Sequence, residues 1–397
     1  MSGIRGKKRI AFDAQPLLSD SKSGVGFHED GLVKNLIHFY PQNEYFFDYF
    51  AWRHKKQKEE KLKPYIIGEN SIANQCQWFP GSLYRMVWGI VPIPYKLFFG
   101  KKAEITHFFN FCIPPGVHGK KIVTIHDMAL HRFSDTIRLK TKIMLKLNLK
   151  NSIKRADAII AVSEFTKSEI QNFYNVPSEK IYVVPNGIDI VKFHPNYTEK
   201  EKKFVKTKYG ITGEYFLYLG NIEPRKNLIR LIKAFIHAQK KYGDIFPKLI
   251  IGGAKGWLYE EIYELIEENK DCVKTIGYVS DEDVPILMSA AKVFCFVSLY
   301  EGFGMPVLEA MACGTPVLTS NNSALKEIAG EAAVKVNPLD IASISSGLLE
   351  LYHNEKLRND CRQQGINRVK EYSWEKAARK LYNVYETVLS EDKRKQE

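Results

Sequence analysis

Paired cysteines are missing from this chain. The six cysteines (76, 112, 272, 295, 313 and 361) are scattered, and no two of them form a C-x-x-C pair. That pattern indicates neither a disulfide framework nor a zinc site and fits a reducing compartment; Cys295 and Cys313, in apolar surroundings, are expected in the core. No uninterrupted apolar run reaches about 18 residues, so no membrane-crossing helix is expected. The opening MSGIRGKKRIAFDA has no apolar stretch of the secretion-signal kind, so a cytoplasmic chain is expected. No G-x-G-x-x-G is found after the strand-like run Lys248–Ile251; the string there is GGAKG, Gly252–Gly256, which weakens a dinucleotide-binding reading. No D-x-D-like cluster occupies a strand-end loop, so no metal or other cofactor is expected. No helix-turn-helix, RNA-recognition or zinc pattern accompanies the basic charge, so nucleic acid is not an expected partner.

What is present is a globular composition, 45% hydrophobic and 12% aromatic, in 397 residues, enough for two domains with separate cores. The net charge of +13 is uneven. Residues 1–190 carry 28 Lys/Arg against 17 Asp/Glu, a net of +11. Such asymmetry marks a face that meets an anionic partner: nucleic acid, an anionic membrane or a phosphorylated substrate. The helical run Arg138–Arg155 repeats a cation every four residues (138, 142, 146, 150, 154) beside apolar faces, a pattern of membrane-surface helices. Ser82–Lys102 mixes Tyr84, Trp88, Tyr95, Phe98 and Phe99 with basic flanks, which suits a membrane interface or ordinary packing.

The chemistry concentrates in Ser298–Thr319, SLYEGFGMPVLEAMACGTPVLT. An apolar strand, Val293–Val297, leads into a turn with Gly302 and Gly304. Pro306 suits the first position of a helix over Val307–Cys313, and Gly314 stops it. Free amides and the helix dipole at such a start attract anions. Glu301 and Glu309 frame the turn; phosphate would repel both, so each is expected to accept hydrogen bonds from hydroxyls. A phosphate flanked by polyhydroxylated groups describes a nucleotide sugar. In the same half, Tyr215–Leu219 reads as a strand followed by GNIEPRKN, Gly220–Asn227, and a helix from Leu228. Arg225 and Lys226 beside that helix start can neutralise a diphosphate and stabilise it as a leaving group, with Glu223 orienting them.

In the first half, Lys8–Asp13 is an opening strand, and SGVG, Ser23–Gly26, is read as a glycine turn before a helix over Phe27–Phe39. Tyr45–Trp52, Lys121–Asp127, Ala158–Ser163 and Ile181–Val184 are strands; Arg53–Lys63 is a solvated charged segment. His126 and Asp127 close the Lys121–Asp127 strand, at the end where ligands bind in open α/β sheets. Lys192–Tyr209 is highly charged and is expected to bridge two domains.

The 17-residue string EGFGMPVLEAMACGTPV, with seven residues between its glutamates, resembles the signature of retaining glycosyltransferases of the GT4 type, which have the GT-B fold. EPRKN, VTIHD, ADAIIAVSEFT, VPNGID and the closing YSWEKAARKLYNVYETVL are also similar to family landmarks. Lys326 departs from it, standing where the family commonly has proline before Glu327, and residues 42–104 match no pattern that names an acceptor. The resemblance implies an α/β fold: two Rossmann-like doubly wound domains facing across a cleft. Residues 1–191 would be the acceptor-side domain, with a helix over about 374–397 packing back on it, and 192–373 the nucleotide-sugar domain. It implies a hexose transfer from GDP-mannose or a UDP-hexose to a saccharide or lipid-linked saccharide in cell-surface polysaccharide assembly, on the inner face of the plasma membrane. The implied catalytic set is His126 on the sugar, Arg225 and Lys226 on the diphosphate and Glu301 on sugar hydroxyls. Glu309 would hold the ribose, the amides of Phe303, Gly304, Met305, Val307 and Leu308 the sugar and phosphate, and Tyr278 and Val279 the base. Gly24, Gly26, Asn221 and Gly253 would complete the donor site. No nucleophilic carboxylate is evident, which favours front-side attack with the leaving phosphate taking the acceptor's proton. The alternatives are a sugar-nucleotide epimerase on the same fold and, prompted by the basic half alone, a nucleic-acid-binding protein.

Overall fold

A computed structural model describes residues 6–19, 24–100, 103–254, 256 and 258–396, without the side chains of Asp244 and residues 392–396. Ser23, Lys101, Lys102, Lys255, Glu397 and the first five residues, all within stretches singled out above, lie outside the described residues. The chain divides into two compact units. The first comprises Met1–Arg132, Leu139–Gly187 and Trp374–Glu397; the second comprises Phe133–Arg138 and Ile188–Ser373. The chain therefore changes unit at Gly187/Ile188, and Lys192–Tyr209, expected as a bridge, lies wholly in the second unit.

The first unit is built on a seven-stranded sheet: β1 (Arg9–Asp13), β2 (Glu44–Phe50), β3 (Ser71–Cys76), β4 (Ile105–Phe108), β5 (Lys120–Ile125), β6 (Ala158–Ala161) and β7 (Ile181–Val183). Every pairing is parallel, in the order β3-β2-β1-β4-β5-β6-β7. The central strands are buried on both faces, as in a sheet covered on two sides, and are apolar but for Thr106, His107 and Thr124 at their middle. The closing helix, Trp374–Gln396, brings Ala378, Leu381, Tyr382 and Tyr385 into the core of this unit. Tyr382 stacks on Tyr40 with centroids 3.6 Å apart, and Lys8 Nζ bonds Glu386 at 3.0 Å.

The second unit repeats the plan with six parallel strands: β8 (Tyr215–Leu219), β9 (Lys248–Gly252), β10 (Val273–Gly277), β11 (Val293–Phe296), β12 (Val317–Ser320) and β13 (Val334–Val336). Their order is β10-β9-β8-β11-β12-β13. In each sheet the order reverses once, between β1 and β4 and between β8 and β11. Such a switch point opens a crevice at the carboxyl ends of the two strands.

Several local expectations are corrected. The first-unit helix starts at Gly24 and runs to Phe39, so Gly24 and Gly26 sit in its first turn rather than in a turn before it. Arg53–Lys63 is solvated as expected, and within it Lys55–Leu62 forms a helix that the sequence pattern leaves unassigned. Strong helix formers suffice there, although Leu62 alone is buried. Of the two readings for Tyr84, Trp88, Tyr95, Phe98 and Phe99, ordinary packing holds: the rings are buried and pack on one another and on Phe50.

Candidate functional site

The site grows from the switch point of the second sheet. β8 ends at Leu219, and the backbone then passes so close to the end of β9 that the residue after β9 can carry no side chain. A Cβ on Gly253, at φ +150°, would lie 1.8 Å from the Gly220 carbonyl oxygen. The loop next makes a single 3-10 turn, Pro224–Lys226. Asn227 follows in the left-handed region and is buried; its side-chain amide donates to the carbonyls of Val297 at 3.0 Å and Pro338 at 2.7 Å. Leu299 N–H donates to the Arg225 carbonyl at 2.9 Å. These bonds lock the loop after β8 against the loop after β11.

That lock brings four charged side chains together. Arg225 donates to Glu223 at 2.8 Å, to Glu301 at 2.9 Å and to the Tyr300 carbonyl at 2.6 Å. Lys226 Nζ lies 2.6 Å from the other Glu301 oxygen and 5.1 Å from the Phe296 ring centre. Glu223 orients Arg225, as its place in the loop suggested. Glu301, however, holds both cations instead of standing free for hydroxyls. The physical reason is desolvation: charges taken out of water need partners, and two carboxylates with two cations make a neutral cluster. Burial alone would raise the Glu301 carboxyl, but Arg225 and Lys226 outweigh it and hold it at about 2. Burial lowers the Lys226 ammonium, with Glu301 pulling the other way.

Immediately after Glu301 the chain turns at Gly304, φ +110°, which precedes the Met305–Ala312 helix. A Cβ there would come 2.6 Å from Leu325 Cδ2. The helix thus starts two residues earlier than expected, and Pro306 is its second residue. Gly304 through Leu308 form its opening turn, where the first amides lack intrahelical partners. The side chains of Phe303, Val307 and Leu308 are buried, so only their backbone is free to meet a ligand. One turn on, Glu309 makes no hydrogen bond or ion pair among the described residues. Burial pushes its carboxyl up to about 7, Asp281 adds to this, and Lys192 opposes it. Around the same sheet edge, Asn221 and Tyr278 are exposed, while Val279 is buried.

In the first unit, His126 directly follows β5. Its Nε2 lies 2.7 Å from the Phe109 carbonyl oxygen, an acceptor, so Nε2 carries the proton and Nδ1 is bare. Burial lowers its pKa. The His28 ring stands across it at 87°, with centroids 4.9 Å apart. His28 is bonded to Asn186 through Nδ1, its buried Nε2 has no partner, and burial pushes it down to about 3. Sequence reasoning missed His28, Asn186 and Asn227; each is an ordinary polar residue in a helix or loop until the fold places it. Gly24 and Gly26 belong to the first unit with His126.

Two family models match the chain: glycosyltransferase family 4 over residues 33–192 and glycosyl transferases group 1 over residues 199–368. The O-antigen chain mannosyltransferase B of Escherichia coli is 32% identical over 72% of this chain and 75% of its own length. The serotype-specific mannosyltransferase WbdA of Escherichia coli is 27% identical over 62% of this chain, a stretch that spans 31% of that longer protein. Among solved structures, Anabaena Alr3699/HepE in complex with UDP and glucose superposes with a TM-score of 0.70, covering 96% of this chain and 99% of that one at 15% identity.

Proposed function

Because the chain belongs to the family 4, group 1 glycosyltransferases and has their GT-B fold, we propose that it transfers mannose or a related hexose from a nucleotide diphosphate sugar to a saccharide, free or lipid-linked, in polysaccharide assembly. The observation that carries this is the Glu223–Arg225–Lys226–Glu301 cluster beside a helix start at a sheet switch point. The names of the relatives favour mannose; the UDP complex of the structural neighbour supports a nucleotide diphosphate as the donor's leaving half.

The cluster explains how binding and bond breaking are linked. Before the donor binds, Glu301 neutralises both cations, so the site is not a pre-paid anion hole. An incoming diphosphate competes for Arg225 and Lys226, and the Gly304–Leu308 amides add donors. As the glycosidic C–O bond breaks, charge grows on the departing phosphate, and the same cations hold it more strongly in that transition state than in the ground state. Glu301, partly released, turns to the sugar hydroxyls. Glu309, protonated about half the time near neutrality, both donates to and accepts from ribose hydroxyls. His126, neutral and with Nε2–H committed to Phe109, keeps Nδ1 as a hydrogen-bond acceptor in the first unit. Two cations and a helix dipole compensate the charge, and no metal enters this scheme. The acceptor attacks from the face the phosphate leaves, and its proton passes to that phosphate, so configuration is retained.

A screen of GDP, UDP and dTDP for a rise in melting temperature tests the donor site. One of them must stabilise the wild type and fail to stabilise Lys226→Ala. No stabilisation by any nucleotide removes the reading. Product analysis with GDP-mannose or UDP-glucose alone, and with an added saccharide, then separates transfer from epimerisation.

A further inference from the structure

We propose that the first unit binds a phosphate or diphosphate ester in a basic pocket at the switch point of its own sheet, with Arg85 as the residue that grips the anion. That this ester is the acceptor rests on the glycosyltransferase reading; that an anion binds there does not. The sheet order reverses between β1 and β4, and ligands of open α/β sheets settle at that point. Gln15, just past β1, and Asn110, just past β4, line a cavity of about 200 Å³ together with Arg85. A second cavity of about 180 Å³ shares Gln15 and Arg85 and adds Trp52, Arg53 and Lys58 from the segment after β2. Among the described lining residues three are cations and none is acidic.

Arg85 itself is half-buried and makes no hydrogen bond or ion pair among the described residues. A guanidinium drawn partly out of water usually has a carboxylate on it. The carboxyl it does influence, Asp13, is raised by burial and pulled the other way by Arg85. Lys58, bonded to the Phe50 carbonyl at 2.8 Å, is lowered by burial and then by Arg85 and Lys61. An anion between Arg85 and Lys58 would offset the repulsion that Lys58 feels. A phosphate ester satisfies the guanidinium fork bidentately. The half-exposed Trp52 at the rim offers a flat apolar face to a sugar ring. Met86 and Leu83, exposed on the same helix as Arg85, offer one to an isoprenoid chain.

The test is calorimetric titration of the full chain, saturated with whichever nucleotide stabilises it, so that Arg225 and Lys226 are occupied. The probes are inorganic pyrophosphate, mannose 6-phosphate and farnesyl diphosphate. Wild type is expected to bind at least one, and Arg85→Gln to weaken it by about tenfold or more, the loss of a charge-assisted pair. Arg85→Lys is expected to recover part of the loss. Arg53→Gln, at an exposed position that leaves folding untouched, is expected to weaken it less. Preference for farnesyl diphosphate identifies a lipid-linked acceptor, and preference for mannose 6-phosphate a soluble one. If nucleotide-saturated wild type binds none of the three, or if Arg85→Gln and Arg53→Gln bind as wild type does, the pocket is not a phosphate site. Nucleotide stabilisation would be intact in either case, so the donor reading would stand.

Discussion

Glu301 is the residue on which the donor site turns. It sits under two cations, and removing its charge takes the carboxylate from Lys226 and one of two carboxylates from Arg225, which keeps Glu223, in a nearly buried setting. Glu301→Gln is therefore expected to cost about 3–5 kcal/mol of unfolding free energy, measured by urea denaturation, besides lowering turnover. Its carboxyl is held at about 2 in the fold against an ordinary 4.5, so this contribution is complete above pH 4.5 and is lost as pH falls towards 2. Glu309 works in the opposite sense. Its folded pKa of about 7 lies above the ordinary 4.5, so the fold binds more protons than the unfolded chain, and stability drains away as pH rises from 4.5 through 7. Glu309→Gln removes that drain. The variant should gain on wild type between pH 5 and pH 8, read as the change in denaturation midpoint; an unchanged difference would show that the carboxyl is not buried in solution.

At the scale of elements, the loops after β8 and β11 matter more than the helices that follow them. The contact of Gly220 with Gly253 sets the exit of both strands, and Gly253→Ala would need backbone to move. We expect a loss on the order of 3 kcal/mol, seen as a lowered melting temperature. Nucleotide stabilisation should fall with it, because the Arg225 loop leaves the same corner. Most strands could be recognised in the sequence as apolar runs ending at glycine or at a charged turn. Three could not. β3 is polar at Asn74 and Gln75 and lies at a sheet edge, β4 has four residues with His107 among them, and β13 has three. Such short or polar strands exist because neighbours pair with them, and their own residues carry little signal. The Met305–Ala312 helix was legible to within two residues because its glycine, proline and glycine punctuation is local.

For the whole molecule, the charge asymmetry bears on one half-exposed helix of the first unit. In the Leu139–Arg155 helix, Leu145, Leu149 and Ile153 are buried, whereas Leu139, Ile143 and Leu147 are exposed beside Lys140 and Lys146. Gly89 packs against Asn148 of this helix, and Ile90 and Val91 next to it are exposed as well. An exposed aliphatic row among lysines suits an anionic bilayer surface, where apolar insertion and charge act together. Among the described residues no helix is long and apolar enough to cross a membrane. We expect the protein to co-sediment with phosphatidylglycerol vesicles, less so at high salt, and the Leu139→Ser/Ile143→Ser/Leu147→Ser variant to lose most of this with its melting temperature unchanged. Binding that ignores the anionic lipid would count against the surface.

By itself, the sequence determined what depends on neighbours along the chain. It specified strands of parallel type, a glycine turn feeding a helix, a cationic pair after a strand, and the family these belong to. Only the tertiary structure decided which charges meet. Lys226 and Glu301 are 75 residues apart, and their bond exists because β8 and β11 are adjacent in the sheet. The same holds for Arg85 beside Gln15 and for the closing helix in the core of the first unit. Propensity and capping act within a few residues, but ion pairs and pockets depend on strand order, and many different local patterns share one strand order.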